Sequence, residues 1–260
     1  DLTLYRKCDQ TLERLMSVVE PSGERTEDVC PHFEKCGGCQ LCHMKYDRQL
    51  DYKTQQVAML FPGFKNVPRT LGMAEPGGYR HKVHATFGRN RQGRIIAGIY
   101  EEGTHRILSA TDCRIQDPVA NQVIRTVLEG MEQYKIQPYN EDTGKGMLRH
   151  VLIRTGYKTG QIMVVPVVAA LSFPQENKLV RLLLKRFPQL TTIVFNKNDR
   201  KTSMVLGREE RIVYGQGYIE DELCGMTFRI SPKSFYQVNP PQAQVLYEKA
   251  MSMAGITQKD

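Results

Sequence analysis

The chain has 260 residues, 40% of them hydrophobic and 25% charged, and carries a net charge of +8. That is enough apolar material for one large or two ordinary domains, so disulfide staples are not needed to hold a core. No run approaches eighteen apolar residues and no charged-then-apolar leader opens the chain, so neither a membrane span nor a signal peptide is expected, and a soluble, cytoplasmic monomer is.

Taken in order, residues 1–20 alternate loosely (Leu2, Leu4, Leu12, Leu15, Val18, Val19) as strands do, until Pro21-Ser22-Gly23 breaks the pattern. From Met44 to Leu60, Tyr46, Leu50, Val57 and Leu60 recur at helical spacing, and Pro62-Gly63 stops the run. Val83, Ala85 and Phe87 alternate with His84 and Thr86, and residues 94–100 and 104–108 read as two further strands. Asp117-Pro118 opens a helix whose stripe is Val119, Val123, Val127, Met131 and Tyr134. Strands are expected at 151–157 and 161–168, a helix at 177–187, and strands at 191–196, 204–206 and 226–230. Asn239 before Pro240 caps a last helix expected to bury Leu246, Ala250 and Met253 and to stop at Gly255. Elements mixed without a regular βαβ rhythm predict an α+β fold with mainly antiparallel strands.

Four of the seven cysteines fall in CPHFEKCGGCQLC, residues 30–42, and Cys113 is a distant fifth thiol. A reducing compartment turns clustered thiols toward metal rather than disulfides. Gly37 and Gly38 let the backbone turn tightly beside sulfur, as an iron–sulfur cluster requires, but zinc accepts the same thiols with His32 or His43 as a further ligand. On spacing alone the two are equal. Cys8 and Cys224 stand alone and read as small packed side chains.

Residues 77–100 contain no Asp or Glu yet carry Arg80, Lys82, Arg89, Arg91 and Arg94. Residues 143–175 are likewise acid-free, with Lys145, Arg149, Arg154 and Lys158. Such stretches on neighbouring strands suit the neutralisation of phosphates, although either one alone reads equally well as a solvated face.

CPHF-x2-CGGCQLxH, a helix carrying KTQQV, GGYRHKV (77–83), TDCRIQDP (111–118), TGKGMLRHVLIR (143–154) and SPKSFYQVNPPQAQVLYEKA (231–250) follow one another in an order that resembles the RNA uracil-5-methyltransferases, the 23S rRNA and tRNA 5-methyluridine enzymes. The resemblance covers essentially the whole chain and is closer to the rRNA enzymes. It implies a three-part organisation: residues 1–29 as the end of a small TRAM-like β-barrel domain, 30–228 as an iron–sulfur-bearing central RNA-binding domain, and 229–260 as the start of a Rossmann-like methyltransferase domain.

It also implies a [4Fe-4S] cluster on Cys30, Cys36, Cys39 and Cys113, with Cys42 a bystander or a rival local ligand. S-adenosylmethionine is implied as cofactor with Gln237 touching it, 23S rRNA as partner, and Arg80, Lys82, Arg149 and Arg154 as RNA contacts. Phe235 lies where the flipped uracil is held, a task for a flat apolar ring. The family's chemistry needs a nucleophilic cysteine and a carboxylate base. Both are expected beyond residue 260, so this chain by itself is expected to be catalytically inactive. A stand-alone metal-cluster RNA-binding module and the tRNA enzyme are the competing functional readings.

Overall fold

The computed structural model describes residues 2–7, 10–15, 18–202 and 204–255, with side chains from residue 18 onward. Cys8 and the leucines of residues 2–15 fall outside the described side chains. The chain divides into two compact units, Asp1–Gly72 and Met73–Asp260. None of the described helices is long and apolar enough to cross a membrane.

In the first unit, β1 (Leu2–Lys7) and β2 (Gln10–Leu15) pair antiparallel, as the alternation predicts. These two strands are all that the described residues of the unit offer toward the expected barrel. After them come the one-turn helix α1 (Phe33–Cys36) and α2 (Tyr46–Leu60). Of the predicted stripe on α2 only Leu50 is buried, whereas Val57 and Leu60 are exposed. The helix is held largely by polar contacts: Arg69 bonds Asp51 at 2.8 Å and Thr54 bonds the Thr70 amide at 2.8 Å.

The second unit is built on seven strands: β3 (Lys82–Arg89), β4 (Ile95–Tyr100), β5 (Ile107–Ser109), β6 (Leu148–Thr155), β7 (Ile162–Val168), β8 (Leu190–Lys197) and β9 (Glu209–Tyr214). They lie in the order β5-β4-β3-β6-β7-β8-β9. Every neighbouring pair is antiparallel except β7–β8, which is parallel and joined through α4 (Glu176–Arg186). The α+β expectation therefore holds, with a mixed, mostly antiparallel sheet. A parallel neighbour needs a crossover, and the helix supplies it.

One face of the sheet is covered by α3 (Pro118–Tyr134) and α4. Asp117 caps α3 by accepting the Val119 amide at 2.9 Å, and Ala120, Val123, Ile124, Val127 and Met131 pack with Val83, Phe87, Val151 and Ile153 of the sheet. On the other face a smaller cluster, Leu152, Met163, Val165, Val194, Ile219 and Ile230, lies beneath a separate hairpin of β10 (Ile219–Leu223) and β11 (Met226–Ile230). The periodic residues of the sequence thus sort onto two faces, as period-two strands must.

Three sequence expectations are corrected. Residues 204–206 are not a strand: the chain there is a loop. β9 and β10 were not predicted, because EERIVY and IEDEL place charges where an apolar alternation would announce a strand. The last helix, α5 (Pro240–Ala254), buries Pro240 and Ala243 rather than the expected set; Leu246 is 59% and Met253 77% exposed. Only its first turn packs closely among the described residues, and its apolar side faces a groove bordered by Met226, Phe228, Tyr247 and Met251.

The β10–β11 turn has Cys224 at φ 51° and Gly225 at φ 76°, the two left-handed residues of a type I′ hairpin. Asn is the side chain best adapted to the first of these positions. Cys224→Asn is expected to stabilise the unit by about 1 kcal/mol, read as a higher urea midpoint; an unchanged or lower midpoint would contradict the turn geometry.

Candidate functional site

Between β11 and α5 runs SPKSFYQVN, residues 231–239, and its backbone is tied down at successive points. The Ser234 amide bonds the Ser231 carbonyl at 3.3 Å, and the two hydroxyls meet at 2.8 Å. The Arg154 guanidinium donates to the Pro232 carbonyl at 3.2 Å and to the Ser234 carbonyl. The His81 amide donates to the Val238 carbonyl at 2.8 Å. Asn239 closes the segment by capping α5, its carboxamide oxygen accepting the Gln242 amide at 3.1 Å.

Between these ties the side chains alternate. Tyr236 turns inward onto the smaller cluster, and its hydroxyl donates to Asp221 at 3.2 Å. Burial, reinforced by the Asp221 carboxylate, pushes the phenol well above its usual range, so it stays a donor. Phe235 is 85% exposed, and Gln237 donates to the Tyr247 hydroxyl at 3.3 Å. An extended chain with one residue held inside presents its two neighbours outside. The segment therefore exposes a flat ring next to a half-buried amide.

Around the segment stand the basic residues of β3 and β6. Arg80 precedes β3, with its amide on the Ile115 carbonyl at 2.8 Å and its Nε buried without a hydrogen-bond partner. Lys82 lies opposite Arg154 in the β3–β6 register. Partial burial, then the nearby Arg154 charge, lowers the Lys82 pKa from its ordinary value. Between them His81 bonds Thr155 through Nδ1 at 2.8 Å and lies 3.5 Å from Asp117, the cap of α3. Burial lowers its pKa, and Asp117 and Asp221 oppose that shift.

Arg149 and Arg154 sit differently from Arg80 and Lys82. Both are only 2% exposed. Arg149 donates to the carbonyls of Arg200 at 2.7 Å and Thr202 at 3.0 Å and pairs with Glu141. It forms the floor of a cavity of about 630 Å³ at the opposite end of β6, whose walls include Arg89, Tyr100, Tyr139 and Lys145. The TGKG motif forms one rim of this cavity: Gly146 has φ +101°, and a Cβ there would lie 2.0 Å from the Pro138 carbonyl oxygen. Only glycine fits.

The cysteines are divided between the units. Cys30, Cys36, Cys39 and Cys42 lie around α1 in the first, and Cys113 lies just before α3 in the second. Burial raises the Cys42 thiol pKa, and the neighbouring Cys30 and Cys36 thiols add to the shift, so these three sulfurs stand within electrostatic reach of one another. A Cβ on Gly38 would lie 3.1 Å from the Cys36 sulfur, so the glycine leaves room beside a thiol. His43, stacked obliquely on Phe33 at 5.1 Å, has a buried Nδ1 without a partner. An all-thiol donor set with that glycine suits an iron–sulfur cluster or zinc. Among the described residues, however, no three His, Cys, Asp or Glu side chains are arranged to hold a metal ion.

Sequence reasoning missed Asp221, which is fully buried and accepts the Lys158 amide at 2.9 Å besides the Tyr236 hydroxyl. The signal was present: in IEDEL the acid falls in phase with Ile219 and Leu223, on the inward face. A buried carboxylate in a strand pattern needs partners, and the partners mark the site.

His150 gives the unit a pH dependence. It is 5% exposed, bonds Thr86 at 3.0 Å, and its pKa is lowered to about 3 by burial and then by the Arg149 charge. Below an unfolded pKa of 6.5 the unfolded chain takes up a proton that the folded chain refuses down to about 3, so stability is lost as pH falls through that window. The expected loss is about 2 kcal/mol between pH 6.5 and 5 in urea denaturation. His150→Gln should remove most of that slope, and an equally steep slope in the variant would refute the assignment.

No protein-family model matches the chain. An uncharacterized RNA methyltransferase of Oceanobacillus iheyensis is 41% identical to it over 253 residues, 95% of this chain and 54% of that protein. Another, of Staphylococcus epidermidis, is 38% identical over 259 residues, 98% and 57% respectively. The chain thus spans about half the length of the curated relatives it matches. Among solved structures, the Pyrococcus abyssi tRNA (uracil-54, C5)-methyltransferase in complex with S-adenosyl-L-homocysteine shares the fold, with a TM-score of 0.75 at 24% identity, over 96% of this chain and 56% of that one. Along nearly its whole length, then, the chain is similar to proteins named as RNA methyltransferases, and it shares the fold of a tRNA uracil methyltransferase.

Proposed function

We propose that the whole protein methylates carbon 5 of a uridine in 23S rRNA, using S-adenosylmethionine, in the cytoplasm. The observation that carries this reading is the clamped segment 231–239, which leaves Phe235 exposed beside a half-buried Gln237 while Tyr236 packs inward on Asp221. Phe235 would stack on the extracted uracil and Gln237 would orient the cofactor. The cofactor supplies an electrophilic methyl group when bound. Arg80 and Lys82 would hold the phosphates that position the nucleotide, while Arg149, engaged by carbonyls and Glu141, lines the cavity at the far end of β6 rather than standing as a free cation.

Residues 1–29, 30–228 and 229–260 are read as the end of a TRAM-like domain, the central RNA-binding domain and the opening of the methyltransferase domain. The nucleophile and base would lie in the portion of the relatives that this chain does not span, so the 260 residues alone should bind RNA without transferring methyl. The tRNA enzyme is the second reading, favoured by the fold shared with an enzyme titled for tRNA uracil-54. Filter binding separates them: the chain should hold 23S rRNA fragments more tightly than tRNA, and the reverse order would favour the second reading. Arg80→Ala with Lys82→Ala should lower the slope of log affinity against log salt by about 1.5. A double variant that binds as the parent does would remove those residues from the interface. Methyl transfer by the 260-residue chain would overturn the division of labour.

Cys30, Cys36, Cys39 and Cys113 are proposed to hold a [4Fe-4S] cluster that stabilises the central domain. Protein purified without oxygen should contain iron and sulfide. Cys113→Ser should lose both, while Cys42→Ser should retain them. One zinc per chain, or loss on Cys42→Ser but not Cys113→Ser, would instead favour a site local to residues 30–42.

A further inference from the structure

Arg154 belongs to an acid-free stretch that suggests RNA, yet it lies 2% exposed in β6, beside a cluster of Leu152, Met163 and Val165. Placing a cation there is costly, because its lost hydration must be replaced by partners inside the protein. Among the described residues it forms no ion pair with a carboxylate. Its recorded hydrogen-bond partners are the carbonyls of Pro232 and Ser234, and its Nε has none. Burial lowers its pKa to about 10, so the guanidinium remains charged at neutral pH.

Those two carbonyls flank the turn that leads into Phe235. From there the inward ties continue at every second residue: Ser234 through Arg154, Tyr236 through Asp221, and Val238 through the His81 amide. Between them lie Phe235, which is exposed, and Gln237, which is half-buried with its amide on the Tyr247 hydroxyl. One terminal nitrogen of the rigid, planar guanidinium donates to both carbonyls and so ties residues 232 and 234 to a single point, which a lysine side chain, one bond shorter, does not reach.

We propose that Arg154 is a positioning residue: its guanidinium clamps the carbonyls of Pro232 and Ser234 and so fixes the direction in which Phe235 and Gln237 are presented, and it does not itself contact RNA. The functional meaning rests on the uridine methylation reading, but the clamp is tested without methyl transfer.

Nitrogen-15 relaxation on the 260-residue chain reads it directly. In Arg154→Lys, order parameters across residues 233–238 should fall from about 0.85 to below about 0.6, while those of β6 and β7 stay unchanged. Because the chain has no tryptophan, Phe235→Trp supplies a single fluorophore, whose anisotropy should fall when Arg154→Lys is added. In Arg154→Gln, which removes the charge that lysine would keep, affinity for a structured ribosomal RNA fragment should stay within about twofold, with the salt slope unchanged. A slope lowered by about 0.7 to 0.9, the value of one lost phosphate contact, would make Arg154 an RNA ligand and overturn the proposal. So would an ordered segment in the variant. If Arg154→Lys does not fold, the unsubstituted chain decides: the Arg154 Nη protons should exchange slowly and show cross-relaxation to the Phe235 amide, and rapid exchange would refute the clamp. Absence of methylation by the longer protein, with the segment still ordered, would instead sink the uridine reading and leave the clamp in place.

Discussion

The pairing of β3 with β6 at the middle of the sheet is the constraint from which the site follows. Val83, Ala85 and Phe87 face the helices together with Val151 and Ile153, so Lys82, His84, Leu152 and Arg154 must face the other way. A shift of the register by one residue would bury the charges among the α3 side chains and expose the core. The apolar face therefore enforces the polar one. Burial of each large apolar side chain contributes about 1.5–3 kcal/mol, and more than a dozen such residues are committed to the helix-covered face. No single charge outweighs that.

Once the register is set, charge and location part company. Lys82, half-buried at the start of β3, and Arg154, buried in β6, are opposite one another, yet only Lys82 remains near enough to solvent to meet a phosphate. Arg154, Asp221 and the His81 amide instead converge on one segment from three elements. The resulting site joins a loop and a sheet without any of these residues being neighbours in sequence. Buried polar groups that satisfy one another in this way confer definition more than stability, because each alone would be a penalty. That suits a segment whose side chains are to keep fixed directions.

The helices and the sheet were legible because their apolar periodicities are strong: the stripe of α3, its Asp117 cap with Pro118, and the alternation in β3 all appear as the sequence implies. β9 and β10 were hidden by EERIVY and IEDEL, whose charges interrupt the apolar alternation; most of them are exposed or half-buried, and Asp221 alone is buried on a tertiary partner. The outward faces of α2 and α5 were over-read for the opposite reason. A helical stripe such as Leu246, Ala250 and Met253 says that a helix has an apolar side, but not that any neighbour in the chain covers it.

By itself, then, the sequence determined the α+β class and the major elements and carried the likeness to RNA methyltransferases, since local periodicity, caps and ordered motifs are properties of neighbouring residues. It also marked the SFYQVN segment and the thiols as places where chemistry is concentrated. Only the tertiary structure decided which basic residues are buried and which are not, that Asp221 belongs beneath Tyr236, and that Phe235 stands exposed. Those outcomes depend on which strand faces which, and residues as far apart as Arg154 and Ser234 acquire a common role only when the chain brings them within hydrogen-bonding distance.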